Sequence, residues 1–309
     1  MVGPVGWWYS IPLSHYPTIC QTVSSRRSIT ADITDLVKPG IVLWILITVA
    51  AGYYLAGGDL TGAVLAHTLI AATLVAGGGN TLNQVLEKDV DALMRRTQSR
   101  PLPSGRISVA SGLAFGLVQS AAGLIWFSVY TPLLTTVCAA LTIGLYVAVY
   151  TPLKKFTSLS TLVGAIPGAL PIAGGWAASG RAWEPMTTVL FGMLFLWQLP
   201  HFLALAWIYR DDYAKAGLKM LSVTDGGDAT FRQAFIYGVT LLPTSLMPAV
   251  LGFAGPLYVV GATALCLWLL WVTAAAFRDR SNKRVWRLFT VSVLYLPAVL
   301  GLMVIDTLL

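Results

Sequence analysis

Nine apolar runs recur along this chain, and each is long enough to cross the roughly 30 Å hydrocarbon core of a bilayer as a helix. We place them near residues 38–56, 60–86, 108–128, 132–151, 158–178, 186–209, 232–253, 256–277 and 286–305. Only 11% of the residues are charged, whereas a soluble domain carries about 25%. Because so little polar surface is available to face water on all sides, the sequence predicts an all-α polytopic membrane protein with nine transmembrane helices.

The distribution of basic residues tests this number of helices, because short cytoplasmic loops of membrane proteins are enriched in lysine and arginine. With nine helices and a cytoplasmic N-terminus, 19 of the 20 basic residues fall on the cytoplasmic side, and only Arg181 falls outside. Adding or removing one helix in the middle of the chain would reverse the side assigned to every later loop, and this asymmetry would be lost. We expect residues 36–309 to form the membrane domain, in a bacterial plasma membrane rather than a mitochondrial inner membrane, with its polar groups facing the cytoplasm.

Residues 1–35 precede the first apolar run. Arg26 and Arg27 carry the only charges among the first 29 residues, and they come late. A signal peptide places its charge before its apolar region, so this order argues against one. An interfacial or disordered arm is the favoured interpretation, and a cleaved organelle-targeting segment stays open.

The densest polar block of the chain covers residues 80–106. Asn83, Glu87 and Asp91 recur every four residues, which places them about 6 Å apart in a column on one helix face. Mg²⁺ takes oxygen ligands and usually bridges one or two carboxylates to substrate phosphates. The alternative is a solvated helix end whose acids pair with nearby basic residues. The asparagines favour the metal, since amides add little to a solubilising surface.

A second polar cluster, Arg210-Asp211-Asp212, follows the sixth apolar run. Adjacent aspartates repel each other, and this repulsion favours a cation beside them. Taken alone, an ordinary polar helix end explains this cluster better. Two acidic clusters on the same side of the membrane, however, suit Mg²⁺ ions held about one diphosphate.

Basic and aromatic side chains near these clusters are candidates for binding the substrate. Arginine grips phosphate in bidentate fashion, although the bias of basic residues toward the cytoplasm must explain most of them. The predicted substrate-binding residues are Arg95, Arg96, Arg100, Lys154, Arg210, His201 and Tyr150. An intramembrane histidine such as His201 is rare, and it suits haem-iron ligation, proton transfer or simple helix packing.

Four stretches carry a resemblance to a known family: LVKP at 36–39 and the longer segments 83–105, 150–176 and 197–221. The chain resembles the intramembrane UbiA-type prenyltransferases over most of residues 36–305. The stretch 197–221, with His201 and Asp211-Asp212-Tyr213, is similar to the members that modify haem. By this resemblance, Asn83, Glu87 and Asp91 occupy the first metal–diphosphate motif, with Glu87 where the family has Asp.

The resemblance implies an enzyme that transfers the farnesyl group of farnesyl diphosphate to a vinyl group of haem b, with addition of water, to give haem O. Asn83, Glu87, Asp91, Asp211 and Asp212 would be catalytic, and all of these except Asp211 would hold Mg²⁺. Membrane lipid and haem A synthase are the expected partners, and nucleic acid is not. The alternative is prenyl transfer to an aromatic quinone precursor. Transport fits poorly, because transporter sites lie near the midplane and these acids lie at one face.

Overall fold

A computed structural model describes residues 28–308, and over this range the chain is helical with no strand. The helices are α1 Ile29–Val37, α2 Pro39–Leu55, α3 Ala63–Leu86, α4 Lys88–Leu93, α5 Val109–Tyr130, α6 Leu133–Gly144, α7 Thr151–Leu153, α8 Ser160–Ala178, α9 Pro185–Ile208, α10 Arg210–Lys215, α11 Leu221–Thr224, α12 Gly226–Val250, α13 Pro256–Arg278 and α14 Asn282–Asp306. A π-helical segment, Leu145–Tyr150, joins α6 to α7 in one rod.

Eight of these helices, with α6 and α7 counted as one rod, are long and apolar enough to cross a membrane within residues 28–308. The pair α1 and α2, bent by 43°, makes a ninth if it forms one span. The predicted all-α, multi-pass membrane fold is therefore confirmed. Two helices begin earlier than their apolar runs, α12 at Gly226 and α14 at Asn282, because their polar first turns extend beyond the hydrocarbon.

Glycines allow neighbouring helices to pack backbone against backbone. A Cβ at Gly52 on α2 would collide with the carbonyl of Ile172 on α8, and one at Gly175 on α8 would collide with the carbonyl of Val49. Membrane helices associate through close packing at small residues, because lipid leaves them little hydrophobic driving force. The α2–α8 contact is one wall of the cavity described below.

The largest buried cluster lies in the C-terminal half, where α8, α9, α12, α13 and α14 meet around Trp176, Phe231 and Tyr258. The N-terminal half has a smaller cluster around Phe127 and Val49. α8 packs against α2 and α6 on one side and against α9 on the other. Between them the helices leave a cavity that α2, α3, α6, α8, α9 and α14 line.

The described part of the predicted N-terminal arm is helical. Ser28 caps α1, and the side-chain amide of Gln84 on α3 donates to the carbonyl of Leu36 at 2.8 Å. Arg106 pairs with Asp32 at 2.8 Å. Residues 1–27 lie outside the described residues, so the prediction of an interfacial or disordered arm stays a prediction for them.

Candidate active site

A single cavity of about 530 Å³ contains most of the predicted site residues. Its wall is apolar along α2, α3, α6 and α8 and becomes polar at the end formed by α4, α7 and the loops around them. Four basic side chains and two acidic ones line that end, which gives it a net formal charge of +2. They are Lys38, Arg96, Arg100, Lys154, Glu87 and Asp91. A cavity with this division suits a ligand that has an anionic head and an apolar body.

The first acidic motif lies at the junction of α3 and α4. Asn83 is in the last turn of α3, Glu87 stands between the two helices, and Asp91 is in α4. The amide of Asp91 donates to the carbonyl of Glu87 at 2.7 Å, so the helical turn continues through the junction and the three side chains share a face. All three line the cavity and are at most 7% exposed. The predicted column of oxygen-bearing side chains is thus present.

Glu87 is paired with a lysine from the other side of the cavity. Its Oε1 accepts from Lys154 Nζ at 2.9 Å, and its Oε2 accepts from Asn83 Nδ2 at 3.0 Å. Burial acts to raise the pKa of Glu87, but the Lys154 ammonium prevails and the pKa is lowered. Burial likewise acts to lower the pKa of Lys154, and its interactions with Tyr150 and with the Glu87 carboxylate hold the pKa above its ordinary value. Both groups are therefore charged at neutral pH.

Asp91 has one paired oxygen and one without a partner. Oδ2 accepts from Arg100 at 2.7 Å, while Oδ1 is buried and makes no hydrogen bond with any of residues 28–308. Buried polar atoms without a partner are rare in proteins. A divalent cation is one ligand that would satisfy this carboxylate oxygen, so the site fits a metal here.

The asparagines near these acids have their nitrogens engaged. Asn80 Nδ2 donates to the carbonyl of Val37 at 2.9 Å, and Asn83 Nδ2 donates to Thr151 Oγ1 at 3.1 Å as well as to Glu87. Because those partners accept hydrogen bonds, the amide orientation is fixed by chemistry. The side-chain oxygens of both residues accept no hydrogen bond from residues 28–308, and a hard cation such as Mg²⁺ takes oxygen.

The π-helical segment supplies the aromatic wall of the polar end. Tyr146 and Tyr150 both line the cavity, and their rings stack with centroids 5.7 Å apart. Lys154 Nζ lies 4.4 Å from the centre of the Tyr150 ring. Thr151 Oγ1 donates to the carbonyl of Tyr146 at 2.8 Å. Isolated π-helical turns occur frequently at functional sites, and this one aims two rings into the cavity.

The second acidic cluster lies next to the first without entering the cavity wall. The side chain of Asp211 is 81% exposed and lies 3.7 Å from Arg210. Asp212 is half-buried, and the next residue, Tyr213, lines the cavity. The two regions touch through a buried apolar cluster in which Val90 and Met94 pack with residues 206, 218 and 220. Among residues 28–308, no three His, Cys, Asp or Glu side chains are close enough to hold a metal by themselves.

The sequence profile of the UbiA prenyltransferase family matches residues 45–296, which is most of the chain. The chain belongs to the UbiA prenyltransferase family. A protein named protoheme IX farnesyltransferase from Solibacter usitatus is 43% identical over 288 residues, covering 89% of this chain and 98% of the relative. A protein of the same name from Koribacter versatilis is 38% identical over 293 residues, covering 90% of this chain and 94% of the relative. The predicted family and the assignment as a prenyltransferase are confirmed.

Solved structures share the fold of this UbiA-family chain. A structure described for digeranylgeranylglyceryl phosphate synthase matches with a TM-score of 0.74 at 16% identity, over 90% of this chain and 98% of that one. A UbiA homologue from Aeropyrum pernix K1 matches with a TM-score of 0.68 at 18% identity, over 92% of this chain and 100% of that one. A third, from Archaeoglobus fulgidus and bound to GPP and Mg²⁺, gives 0.61 at 16% identity, over 88% and 99%.

Most of the other predicted substrate-binding residues of this prenyltransferase also reach the cavity. Arg96, Arg100, Lys154, Tyr150 and His201 line it. In contrast, Arg95 is exposed outside the lining, and Arg210 stacks on Trp207 with its guanidinium carbon 4.6 Å from the ring centre. The roles of Arg95, Arg210, Asp211 and Asp212 stay predictions, and the geometry gives these four no place in the cavity wall.

The sequence interpretation missed Lys38. It lines the polar end and joins α1 to α2 with a left-handed backbone, φ 55°. A residue other than glycine rarely adopts that conformation, which is strained and clusters at functional sites. The available signal was a lysine directly before the proline that opens an apolar run.

Proposed function

We propose that this prenyltransferase transfers the farnesyl group of farnesyl diphosphate to a vinyl group of haem b, giving haem O and diphosphate. The observation that carries the proposal is the cation-rich cluster at one end of an otherwise apolar cavity. The relatives named protoheme IX farnesyltransferase, at 43% and 38% identity, supply the pair of substrates.

The diphosphate is bound by Lys38, Arg96, Arg100 and Lys154 in this proposal. Arginine offers bidentate contacts to phosphate oxygens, and lysine acts as a point charge. The partners that these residues already have, Asp91 for Arg100 and Glu87 for Lys154, fix their positions before substrate arrives. Positioned charges that need no rearrangement are the main source of electrostatic catalysis.

Asn83, Glu87, Asp91 and Asp212 are the proposed holders of Mg²⁺. The unpartnered Oδ1 of Asp91 and the free amide oxygen of Asn83 support the first part of this set. Asp212, half-buried and next in sequence to the wall residue Tyr213, is the donor proposed from the second cluster. When bound, the metal neutralises charge that develops on the leaving diphosphate.

The reaction begins when the bond between C1 of the farnesyl group and the diphosphate oxygen breaks, and its electron pair leaves with the diphosphate. The allylic cation that results lies beside the rings of Tyr146 and Tyr150, whose π faces stabilise positive charge. The apolar walls of α2, α3 and α8 exclude water from it. The π electrons of the haem vinyl group then form the new bond to C1. Water captures the cation left on the vinyl carbon and releases a proton.

The enzyme is proposed to lie in the plasma membrane with its N-terminus and its polar cavity end on the cytoplasmic side. Clustering of lysine and arginine in the loops next to that end supports this orientation. The farnesyl tail enters from membrane lipid, and a haem A synthase is the expected consumer of the product.

Mass analysis of haems after expression in a cell lacking its own haem O tests the proposal. The intact protein should produce haem O, and Asp91→Asn should lower the yield at least about a hundredfold, which corresponds to ~2.7 kcal/mol of transition-state stabilisation. Asp89→Asn is the matched control, because Asp89 lies exposed in the same helix α4. Absence of haem O, with a prenylated aromatic product in its place, would instead establish the quinone-precursor alternative.

A further inference from the structure

His201 lies in the middle of α9 and lines the cavity on the side formed by α9 and α14. It stands eight residues before Tyr209, where α9 ends, which puts it about 12 Å deeper in the membrane than that end. The diphosphate-binding groups lie at the shallow end of the same cavity. The imidazole therefore lies about two helical turns along α9 from the end of that helix.

The environment of His201 fixes which ring nitrogen carries the proton. Nδ1 lies 2.9 Å from Ser292 Oγ, and that hydroxyl donates its own hydrogen to the carbonyl of Phe289 at 2.6 Å. A hydroxyl has a single hydrogen, and a carbonyl has none to offer. Ser292 Oγ therefore accepts from Nδ1–H. In a neutral imidazole, Nε2 is then the nitrogen with a free lone pair.

Rings on both sides hold the imidazole in one orientation. The Trp197 ring stacks on it with centroids 5.7 Å apart, and the Phe289 ring stacks at 4.7 Å. Trp197 is itself anchored, because its Nε1–H donates to the backbone carbonyl of Ser292 at 2.6 Å. The imidazole, the indole and the serine thus tie α9 to α14 as a unit.

Nε2 is the nitrogen left over, and it makes no hydrogen bond with any of residues 28–308. A rigid imidazole with Nδ1–H engaged by a protein oxygen and Nε2 open is the arrangement found in metal-binding histidines, where the second nitrogen's partner fixes tautomer and orientation. Here the open nitrogen faces a large, mostly apolar cavity. That cavity suits an iron held in a flat, apolar macrocycle better than a hydrated ion.

We propose that His201 Nε2 is the axial ligand of the haem iron, and that Ser292 is the positioning residue that fixes its tautomer. The inference rests on the proposed function, in which haem b is a substrate. It deepens that function by assigning the haem to the α9–α14 side of the cavity.

The test uses the full-length protein purified in detergent and titrated with haem b. Absorption and electron paramagnetic resonance spectra report the iron ligand, and the titration gives Kd. Intact protein should show nitrogen coordination. In His201→Gly we expect the coordination signature to disappear and the haem Kd to rise at least tenfold, with both restored by added imidazole. Ser292→Ala, which leaves the ring in place, should raise Kd less and perturb the same spectrum.

His67→Gly is the matched control, because His67 is a second intramembrane histidine that does not line the cavity and stacks on Tyr130 at 4.1 Å. Its haem spectrum should equal that of intact protein. Binding of a non-hydrolysable farnesyl diphosphate analogue, unchanged in His201→Gly, reports that the variant is folded.

The outcomes separate the two proposals. Unchanged haem coordination and affinity in both His201→Gly and Ser292→Ala overturn the iron ligand while leaving haem farnesylation intact. Loss of turnover in His201→Gly with an unchanged haem spectrum would also overturn the iron ligand, since His201 would then act as a proton acceptor. If intact protein binds no haem at all, the proposed function itself falls, and the iron ligand falls with it.

Discussion

Replacing Lys154 with methionine would leave the Glu87 carboxylate, 7% exposed, without its cation. A buried carboxylate in that position either stays charged without a partner, at a cost of about 3–5 kcal/mol, or takes up a proton. Taking up a proton at pH 7 costs about 3.4 kcal/mol for a group whose ordinary pKa is 4.5, since each unit is worth 1.36 kcal/mol. We expect Lys154→Met to be destabilised by about that amount.

The destabilisation of Lys154→Met should depend on pH near neutrality, whereas the contribution of the intact Glu87–Lys154 pair to stability should not. In intact protein the pKa of Glu87 is lowered, so its contribution to stability is complete above 4.5 and lost only as the pH falls through the folded value. The pKa of Lys154 is raised, so its contribution is complete below 10.5 and lost as the pH rises through the folded value. The pair is therefore constant between those limits. In Lys154→Met the cost should fall to about 1.4 kcal/mol at pH 5.5.

Thermal unfolding of the purified protein, followed at pH 7 and pH 5.5, measures the effect. At roughly 2 °C per kcal/mol for a chain of this size, Lys154→Met should lower Tm by about 7 °C at pH 7 and about 3 °C at pH 5.5. The double variant Glu87→Gln/Lys154→Met lacks both charges of this pair, and its Tm should differ from intact protein by the same amount at both values. A Tm deficit in Lys154→Met that does not shrink on acidification would refute the reasoning.

Two further predictions concern helix contacts around the site. Thr151→Val removes the hydroxyl that accepts from Asn83 Nδ2 and should raise the Mg²⁺ concentration needed for half-maximal turnover about tenfold. Thr151→Ser keeps a hydroxyl and should not raise it. Equal Mg²⁺ titrations for the two variants would contradict this prediction. Gly175→Ala drives a Cβ into the carbonyl of Val49 and should cost about 1–3 kcal/mol of stability. Gly144→Ala, where the space is open, should leave Tm unchanged or raise it, so a loss equal to that of Gly175→Ala would contradict the packing argument.

The membrane-spanning helices were predictable because burial in hydrocarbon requires long apolar runs, and a run is a local property of the sequence. The short helix α1 was not predicted, although Ser28 caps it and its residues Asp32 and Leu36, four apart, are both buried. The apolar run begins only at Lys38, so most of α1 falls within the predicted arm, residues 1–35. The bend of 43° at that residue depends on a left-handed backbone that a lysine does not signal.

The column of Asn83, Glu87 and Asp91 was also predictable, since spacing of four on a helix places side chains on one face. Their partners were not predictable from spacing. Glu87 and Lys154 are 67 residues apart in the chain, and only the packing of α3 against the α6–α7 rod brings them together. The free oxygen of Asp91 depends on Arg100 binding the other oxygen, a preference that composition does not reveal.

Composition alone does not distinguish the adjacent residues Asp211 and Asp212, but their positions around the helix α10 do. Successive residues of a helix point about 100° apart, so two adjacent side chains of α10 do not face the same cavity equally. The side chain of Asp211 is 81% exposed, whereas Tyr213 forms part of the cavity wall. Asp212, between them, is the less exposed of the two aspartates. A second carboxylate for the metal is therefore to be sought at Asp212, and Asp211 is left to pair with Arg210 at the surface.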